Sequence, residues 1–314
     1  MGTVAFLFPG QGSQAVGMGR ALADAFPEAR AVFDAADDAL HEKLSTLCFE
    51  GPEDALKLTA NTQPAILTTS LAAHVVLAKR VPAPAFVAGH SLGEYSACVA
   101  AHALTLTDAV RAVRARGTFM QEAVPAGVGA MAVVLGLAPD KVKAACEAAA
   151  EGQVVAPANY NSAEQTVIAG EAKAVQRAAV KLKEAGAKRV MMLPVSAPFH
   201  CALMAPVQAR LGEVLRGLSV SAPRIPIVTN VDAREHAELA RVVPLLLEQV
   251  TAPVRWIETV ERLKVLGVTR FVEVGPGRVL SGLVKRITSG LGEVEILNVE
   301  DLASLEKTLA ALGA

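Results

Sequence analysis

The stretch Val87–Ser96, VAGHSLGEYS in one-letter code, decides how the rest of this chain is interpreted. An apolar run over residues 85–88 stops at Gly89, and helix-compatible residues continue from position 92 to position 103. This order predicts a strand, a tight turn and a helix, and residues 89–93 fit the G-x-S-x-G nucleophile elbow. The flanking glycines let the strand and the helix pass each other without a Cβ clash. The stretch therefore predicts a serine nucleophile, Ser91, beside helix N–H groups that can stabilise an oxyanion.

The same residues could instead form an ordinary turn in which Ser91 merely caps the helix. A nucleophilic serine also needs a base, and the base needs a group that orients it. His200 is the candidate base because it follows Phe199 at the end of a proline-rich loop, whereas the other histidines lie on predicted helix faces, in a polar stretch or next to Ser91. Cys201 is interpreted as a buried thiol. No acidic residue lies near His200 in the sequence, so a neutral carbonyl is a possible orienting group.

Composition excludes several classes of protein. The 314 residues are 52% hydrophobic and 19% charged, with few aromatic residues, which favours an α/β protein with alanine-rich helices. The net charge of −1 gives no reason to expect nucleic acid or an anionic membrane as a partner. Four widely spaced cysteines lack a C-x-x-C pair, so neither a disulfide framework nor a metal site is expected. With no basic leader and no apolar run of about 20 residues, we expect a cytoplasmic protein.

Two further features bear on the organisation of the chain. The predicted strand Thr3–Phe8 is followed by a glycine-rich loop, PGQGSQ, whose glycine spacing does not match the dinucleotide fingerprint G-x-G-x-x-G. Residues 126–193 read strand, helix, strand, strand, helix, strand, which is the order of a ferredoxin-like unit. We therefore expect a ferredoxin-like subdomain, residues 126–193, inserted into a main domain of residues 1–125 and 194–314.

Several separated motifs together resemble the malonyl-CoA:acyl carrier protein transacylases of bacterial type II fatty acid synthesis, along essentially the whole chain. The matching pieces are Phe8–Gln14, Gly89–Tyr95, Arg116, Asn159–Ser162, Phe199-His200, Gln249 and Val274–Gly277. With the elbow, the resemblance implies an α/β fold with an α/β-hydrolase-like main domain built on a parallel sheet.

The resemblance also implies catalytic roles. Ser91 would be the acylated nucleophile, and His200 would act as general base and then general acid. Gln249 would accept a hydrogen bond from the imidazole through a carbonyl oxygen. Backbone N–H groups of Gln11 and Leu92 would form the oxyanion hole.

Three residues are implied to bind substrate: Arg116, Phe199 and Asn161. Arg116 would hold the malonyl carboxylate in a bidentate pair that a lysine could not reproduce. Without the resemblance, Arg116 would be interpreted as a solvated helix charge. Phe199 would narrow the pocket against a 2-methyl group.

The implied reaction is a ping-pong malonyl transfer from malonyl-CoA to the phosphopantetheine thiol of acyl carrier protein, with no cofactor. The resemblance suggests a monomer. Carrier proteins are typically acidic, so a basic docking surface is expected, with Lys188, Arg189, Arg278, Lys285 and Arg286 as candidates. A serine esterase or thioesterase and a non-catalytic carrier-binding subunit remain the alternatives. The sequence leaves open whether the carrier serves fatty acid or polyketide synthesis.

Overall fold

The computed structural model describes residues 2–125, 127–195 and 197–314. The strands are β1 (Thr3–Phe8), β2 (Phe86–Gly89), β3 (Gly129–Leu135), β4 (Val155–Ser162), β5 (Gln165–Glu171), β6 (Arg189–Met192), β7 (Ile227–Val228), β8 (Glu235–His236), β9 (Val268–Val274) and β10 (Glu295–Val299). The α-helices are α1 (Arg20–Ala25), α2 (Pro27–Leu40), α3 (Leu44–Glu50), α4 (Glu53–Lys57), α5 (Thr59–Ala78), α6 (Gly93–Ala100), α7 (Leu106–Glu122), α8 (Pro139–Ala150), α9 (Ala172–Glu184), α10 (Ala205–Arg216), α11 (Leu239–Glu248), α12 (Trp256–Val265), α13 (Val279–Ile287) and α14 (Leu302–Leu312).

The larger sheet has the strand order β10-β9-β1-β2-β7-β8, and its pairs are parallel apart from β7 with β8. Both faces of this sheet are buried, which explains why β1 reads as an unbroken apolar run. Phe6 and Phe8 pack into the core on one face, while Ala5 and Leu7 pack into the core on the other. Because parallel strands end at the same edge, the residues after β1, β2 and β7 are brought together there.

The smaller sheet is antiparallel, with the order β4-β5-β3-β6. Its strands alternate between two surfaces. Ala132 and Val134 pack with residues of α8 and α9, whereas Met131 and Val133 face the opposite side. The side away from the helices is therefore free to line a cleft against the larger sheet.

The predicted α/β class is confirmed in its coarser form, as a largely parallel sheet with a separate antiparallel sheet. The elements from β3 to β6 follow the predicted order. Ala126, the expected start of the subdomain, and Ser196, in the loop before His200, lie outside the described residues. Among the described residues, no helix is both long and apolar enough to cross a membrane.

Local hydrogen bonds set the starts of two helices that carry site residues. Helix α5 begins at Thr59, because Asn61 and Thr62 already donate their backbone N–H groups to the carbonyl oxygen of Leu58, and Pro64 lies inside the helix. Helix α7 is capped by Thr105, whose hydroxyl oxygen accepts from the backbone N–H of Asp108.

Strand β7 has only two residues, Ile227 and Val228. It ends early because the backbone of Asn230 bonds to groups outside the sheet, Glu94 and Arg255.

Candidate active site

The turn between β2 and α6 has the geometry of a nucleophile elbow. Ser91 has a φ of 50°, in the left-handed region that a non-glycine residue adopts only under strain. A Cβ on Gly89 would lie 2.0 Å from the backbone carbonyl of Gly93, and a Cβ on Gly93 would lie 2.0 Å from the carbonyl oxygen of Phe8. Glycine is therefore required at both positions, because the helix backbone runs against two strand ends.

Ser91 and His200 form a hydrogen-bonded pair, with 2.7 Å between Ser91 Oγ and His200 Nε2. His200 is buried and also has a left-handed φ, of 58°. Its Nδ1 lies 2.9 Å from the backbone oxygen of Gln249 and 3.2 Å from that of Ala252. Since both carbonyl groups can only accept, we assign the proton to Nδ1 and the lone pair to Nε2. The imidazole is thus set up to take the serine proton.

Burial, and then the positive charge of Arg116, lower the pKa of His200 to about 3. Both effects disfavour the imidazolium ion. The imidazole is therefore neutral across the physiological range.

Gln249 contacts this pair in two ways. The family resemblance implied that a carbonyl oxygen of Gln249 would orient the imidazole, and in the structure the Gln249 oxygen beside His200 Nδ1 is the main-chain one. The side-chain Oε1 instead accepts from Arg116 Nη2 at 2.9 Å. The side-chain Nε2 donates to the backbone oxygen of Ser91 at 3.0 Å and to Glu94 Oε2 at 3.1 Å. Gln249 therefore connects His200, Ser91 and Arg116.

Arg116 is not a solvated helix charge, because only 2% of it is exposed. Its Nη2 donates to Ser91 Oγ at 3.0 Å, and its Nη1 donates to Gln63 Oε1 at 2.8 Å. Within the described part of the chain, Nε is buried with no hydrogen-bond partner. The guanidinium plane also lies 5.6 Å over the Tyr95 ring. A buried cation with an unused donor beside a nucleophile is suited to an anionic group of a ligand.

Two backbone N–H groups beside Ser91 are the candidates for an oxyanion site. Gln11 lies in the loop after β1, and Leu92 lies at the start of α6; both line the cavity beside Ser91. Over residues 2–125, 127–195 and 197–314, neither N–H has a hydrogen-bond acceptor. The loop is held close to the elbow, since a Cβ on Gly10 would lie 2.4 Å from the backbone oxygen of His90.

Asn161 and Phe199 both line the same cavity, but Asn161 is already engaged. Its Oδ1 lies 2.9 Å from His90 Nε2, so it joins the smaller sheet to the elbow. Burial lowers the pKa of His90, and its ring packs 5.5 Å from the Trp256 ring. Phe199 is half-buried and packs against the cores of both sheets.

The cavity has a volume of about 590 Å³, within the range of small-molecule sites. It lies between the two sheets, and both supply its lining. The larger sheet and its helices contribute Ser91, Arg116 and His200, together with apolar side chains such as Met120 and Leu280. The smaller sheet contributes the apolar Met131, Val133 and Val167 and the polar Asn159, Asn161 and Gln165. In the described ranges, no group of three or more His, Cys, Asp or Glu side chains could hold a metal ion.

Sequence reasoning missed Gln63, Glu94 and Asn230 as part of this arrangement. Glu94 is 1% exposed, and burial raises the pKa of its carboxyl to about 7. Each residue carried a signal. Gln63 and Glu94 are polar groups in apolar helices, and Asn230 follows a strand at the sheet edge where the elbow lies.

Known proteins share this architecture. A family model described as Acyl transferase domain matches residues 5–305. The Malonyl CoA-acyl carrier protein transacylase of Bacillus subtilis is 47% identical over 310 residues, 98% of either chain. The protein of the same name from Escherichia coli K12 is 49% identical over 288 residues, 91% of this chain and 93% of that one.

Solved structures agree. The malonyl CoA-acyl carrier protein transacylase from Coxiella burnetii has a TM-score of 0.96 at 41% identity, covering 100% of this chain and 98% of that one. A malonyl-transacylase in complex with its type II PKS acyl-carrier protein has a TM-score of 0.95 at 46% identity, covering 98% and 99%. These matches span nearly the whole chain, so this chain belongs to the acyl transferase family and, within it, to the malonyl CoA-acyl carrier protein transacylases.

Proposed function

We propose that this chain transfers a malonyl group from malonyl-CoA to the phosphopantetheine thiol of acyl carrier protein through an ester on Ser91. The observation that carries this proposal is the buried Arg116 guanidinium, whose Nη2 lies 3.0 Å from Ser91 Oγ. A cation at this position selects an acyl group that ends in a carboxylate. The names of the relatives support the same donor and acceptor.

In the first half-reaction, Ser91 Oγ attacks the thioester carbonyl carbon of malonyl-CoA while its proton passes to His200 Nε2. The resulting oxyanion accepts hydrogen bonds from the N–H groups of Gln11 and Leu92. Collapse of the tetrahedral intermediate breaks the carbon–sulfur bond. His200 then gives its proton to the departing sulfur, which leaves CoA as a thiol and malonate as an ester on Ser91.

The second half-reaction reverses these roles. The phosphopantetheine thiol gives its proton to His200 Nε2 and attacks the ester carbonyl. The Ser91 alkoxide leaves, recovers the proton and restores the free enzyme. The products are the thiol of CoA and the malonyl thioester of the carrier.

Arg116 has a different task in this scheme. In the structure, its Nη2 donates to Ser91 Oγ. The incoming malonyl carboxylate replaces that contact with a charged pair that also uses the free Nε donor. Gln63 and Gln249 hold the guanidinium in place from two sides. Phe199, at the cavity wall, is proposed to disfavour a 2-methyl branch.

The finer domain description is also a proposal. Residues 126–193 would be a ferredoxin-like subdomain, supported by the strand order β4-β5-β3-β6 with α8 and α9 packed on one face. Residues 1–125 and 194–314 would be the catalytic domain. An α/β-hydrolase-like character is supported by its largely parallel sheet and the serine elbow after β2. The monomeric state and the cytoplasmic location stay predictions.

The carrier is proposed to dock at the cavity mouth through basic side chains. Arg286 donates to Gln165, a residue of the cavity lining, at 3.0 Å. Lys188 and Arg278 lie beside acidic neighbours, at 3.5 Å from Glu164 and 2.8 Å from Glu300 respectively. The remaining candidates are Arg189 and Lys285. Carrier affinity that is independent of salt would contradict this docking proposal.

The fate of the acyl group tests the function. The purified chain is mixed with malonyl-CoA, with and without the phosphopantetheinylated carrier, and malonyl-carrier, free malonate and the mass of the intact chain are followed. We expect one malonyl adduct that is lost in Ser91→Ala, and fast transfer only when the carrier is present. Rapid release of malonate without the carrier would indicate a hydrolase. Binding of the carrier without any adduct would indicate a non-catalytic subunit.

A further inference from the structure

Asn230 occupies a position that the proposed steps do not use. It follows β7, is fully buried, and its side-chain amide lies between the two chain segments that flank Ser91. Its Oδ1 accepts from the backbone N–H of Ser91 at 2.6 Å, and its Nδ2 donates to the backbone oxygen of Gly89 at 2.6 Å. A single amide therefore bridges the elbow.

The backbone of Asn230 is fixed as firmly as its side chain. Its N–H donates to Glu94 Oε2 at 2.9 Å, and its carbonyl oxygen accepts from the N–H of Arg255 at 3.0 Å. Just before it, Val228 pairs with Ala88 in the parallel ladder between β7 and β2. The amide is thus held in place before any substrate binds.

Both peptide groups beside the Ser91 Cα are held by amide side chains. Asn230 binds the N–H of the peptide that precedes Ser91. Gln249 Nε2 binds the carbonyl oxygen of the peptide that follows, and that same peptide carries the N–H of Leu92. The carboxylate oxygen Glu94 Oε2 accepts from both residues, from the main-chain N–H of Asn230 and the side chain of Gln249.

The hydrogen bonds of Asn230 and Gln249 hold the backbone of Ser91 in an unfavourable conformation. Ser91 has a φ of 50°, and strained backbone of this kind persists only where the surrounding structure fixes it. Releasing the preceding peptide would let the elbow relax. Ser91 Oγ would then turn from His200, and Leu92 N–H would turn from the carbonyl oxygen that it is proposed to bind.

We propose that Asn230 is a positioning residue for acyl transfer, whose amide clamps the elbow so that Ser91 Oγ and Leu92 N–H keep their reactive directions. The inference rests on the proposed function, because it concerns the acylation of Ser91. Asn230 touches the backbone of the nucleophile and not the substrate. Its loss should therefore slow the chemical step while leaving donor binding in place.

The test compares Asn230→Ala with the matched control Thr229→Val. Thr229 is the preceding residue, is 4% exposed, and donates its hydroxyl to Asp232 rather than to the elbow. Intact mass gives the fraction of each protein that accepts a malonyl group, and single-turnover mixing gives the acylation rate over a range of malonyl-CoA concentrations. Melting temperatures report the cost to folding.

For Asn230→Ala we expect the saturating acylation rate to fall about 100-fold, the scale of a small misplacement of a reacting group, with half-saturation within about threefold of the wild type. Thr229→Val should keep its saturating acylation rate within about threefold of the wild type, even if its melting temperature falls as much as that of Asn230→Ala. The isosteric Asn230→Asp retains the acceptor for Ser91 N–H but opposes the carbonyl of Gly89, so its rate should lie between those of the wild type and Asn230→Ala.

A rate for Asn230→Ala equal to that of Thr229→Val would overturn the inference, as would a change confined to half-saturation or to the active fraction. If Asn230→Ala does not fold, Asn230→Asp decides, and a wild-type rate in that variant overturns the clamp. Failure of the proposed function looks different, because the wild type itself would then form no malonyl adduct.

Discussion

The two walls of the cavity are built on different principles. The polar wall, formed by Gln63, Ser91, Arg116 and His200, is tied together by hydrogen bonds of 2.7–3.0 Å. The apolar wall, formed by Met131, Val133 and Val167, comes from one face of the smaller sheet. The polar wall contains the strained backbone of Ser91 and the buried charge of Arg116, while the apolar wall determines the shape of the cavity on its side. We therefore expect the polar wall to carry out the acyl transfer and to select a charged acyl group. We expect the region where the two walls meet to limit the size of that group.

The largest expected effect is on the polar wall. His200→Asn should lower the acylation rate about 10³-fold, because proton transfer by a positioned base contributes on that scale. Asparagine tolerates the left-handed backbone of His200, so the variant should fold. Single-turnover acylation measures the loss.

His102→Asn is the matched control, because His102 is exposed and also has a left-handed φ, of 60°. It should acylate at the wild-type rate. Near-normal acylation by His200→Asn would assign the base elsewhere.

The pH profile tests the environment of that wall. With the pKa of His200 lowered to about 3, kcat/KM for malonyl-CoA should stay nearly flat from pH 8 to pH 5. A histidine with an ordinary pKa near 6.5 would lose about 30-fold over this range, because its protonated form cannot act as a base. Initial rates against pH distinguish the two cases.

Stability must be followed in parallel. The unfolded chain binds a proton at position 200 near pH 6.5 and the folded chain only near pH 3, so His200 makes the free energy of unfolding fall as the pH drops from 6.5 towards 3. Circular dichroism at each pH separates unfolding from titration. A fall in kcat/KM with an apparent pKa near 6.5, in protein that is still fully folded, would contradict the assignment of His200 as a buried, neutral base.

A moderate effect on malonyl acylation is expected when a residue that holds Arg116 in place is changed. Gln63→Leu removes the acceptor for Arg116 Nη1, and hydrogen bonds to charged groups contribute about 1.5–3 kcal/mol. We expect malonyl acylation to fall about tenfold and acetyl acylation to change by less than about threefold. Parallel rates with malonyl-CoA and acetyl-CoA give the ratio. An equal loss for both donors would mean that Gln63 supports the fold and not the arginine.

The smallest effect on the natural reaction is expected at Phe199, where the two walls meet. Phe199→Ala should change malonyl acylation by only about threefold while raising the methylmalonyl-to-malonyl ratio about tenfold, since a methyl group in a pocket is worth about 1–3 kcal/mol. Competition between the two CoA donors measures the ratio. An unchanged ratio would place the size limit elsewhere on the cavity.

Much of the fold and part of the candidate site could be predicted from local sequence patterns. The order of the elements from β3 to β6 could be predicted from the sequence pattern, and the elbow from its glycine spacing. The surroundings of the nucleophile could not be predicted in this way. Asn230 is 139 positions from Ser91, and Gln63 is 53 positions from Arg116, so their contacts depend on how strands and helices assemble.

Arg116 shows the same limit from another side. Its spacing on α7 says nothing about burial, and an arginine is usually exposed. It is only 2% exposed, and long-range hydrogen bonds to Gln63 and Gln249 compensate for the burial of its charge. The family resemblance could suggest its role, but composition and periodicity could not.

The central claim is that the Ser91–His200 pair makes the bond while Arg116 chooses the donor. Single-turnover acylation of Arg116→Ala with malonyl-CoA and with acetyl-CoA tests it most directly, with Arg116→Lys as the charge-retaining control. We predict that malonyl acylation of Arg116→Ala falls about 10³-fold, the scale of a lost buried charge pair, and that acetyl acylation falls no more than about tenfold. Arg116→Lys should recover part of the malonyl rate. Equal losses for both donors would contradict the claim and make Arg116 a general support of the nucleophile.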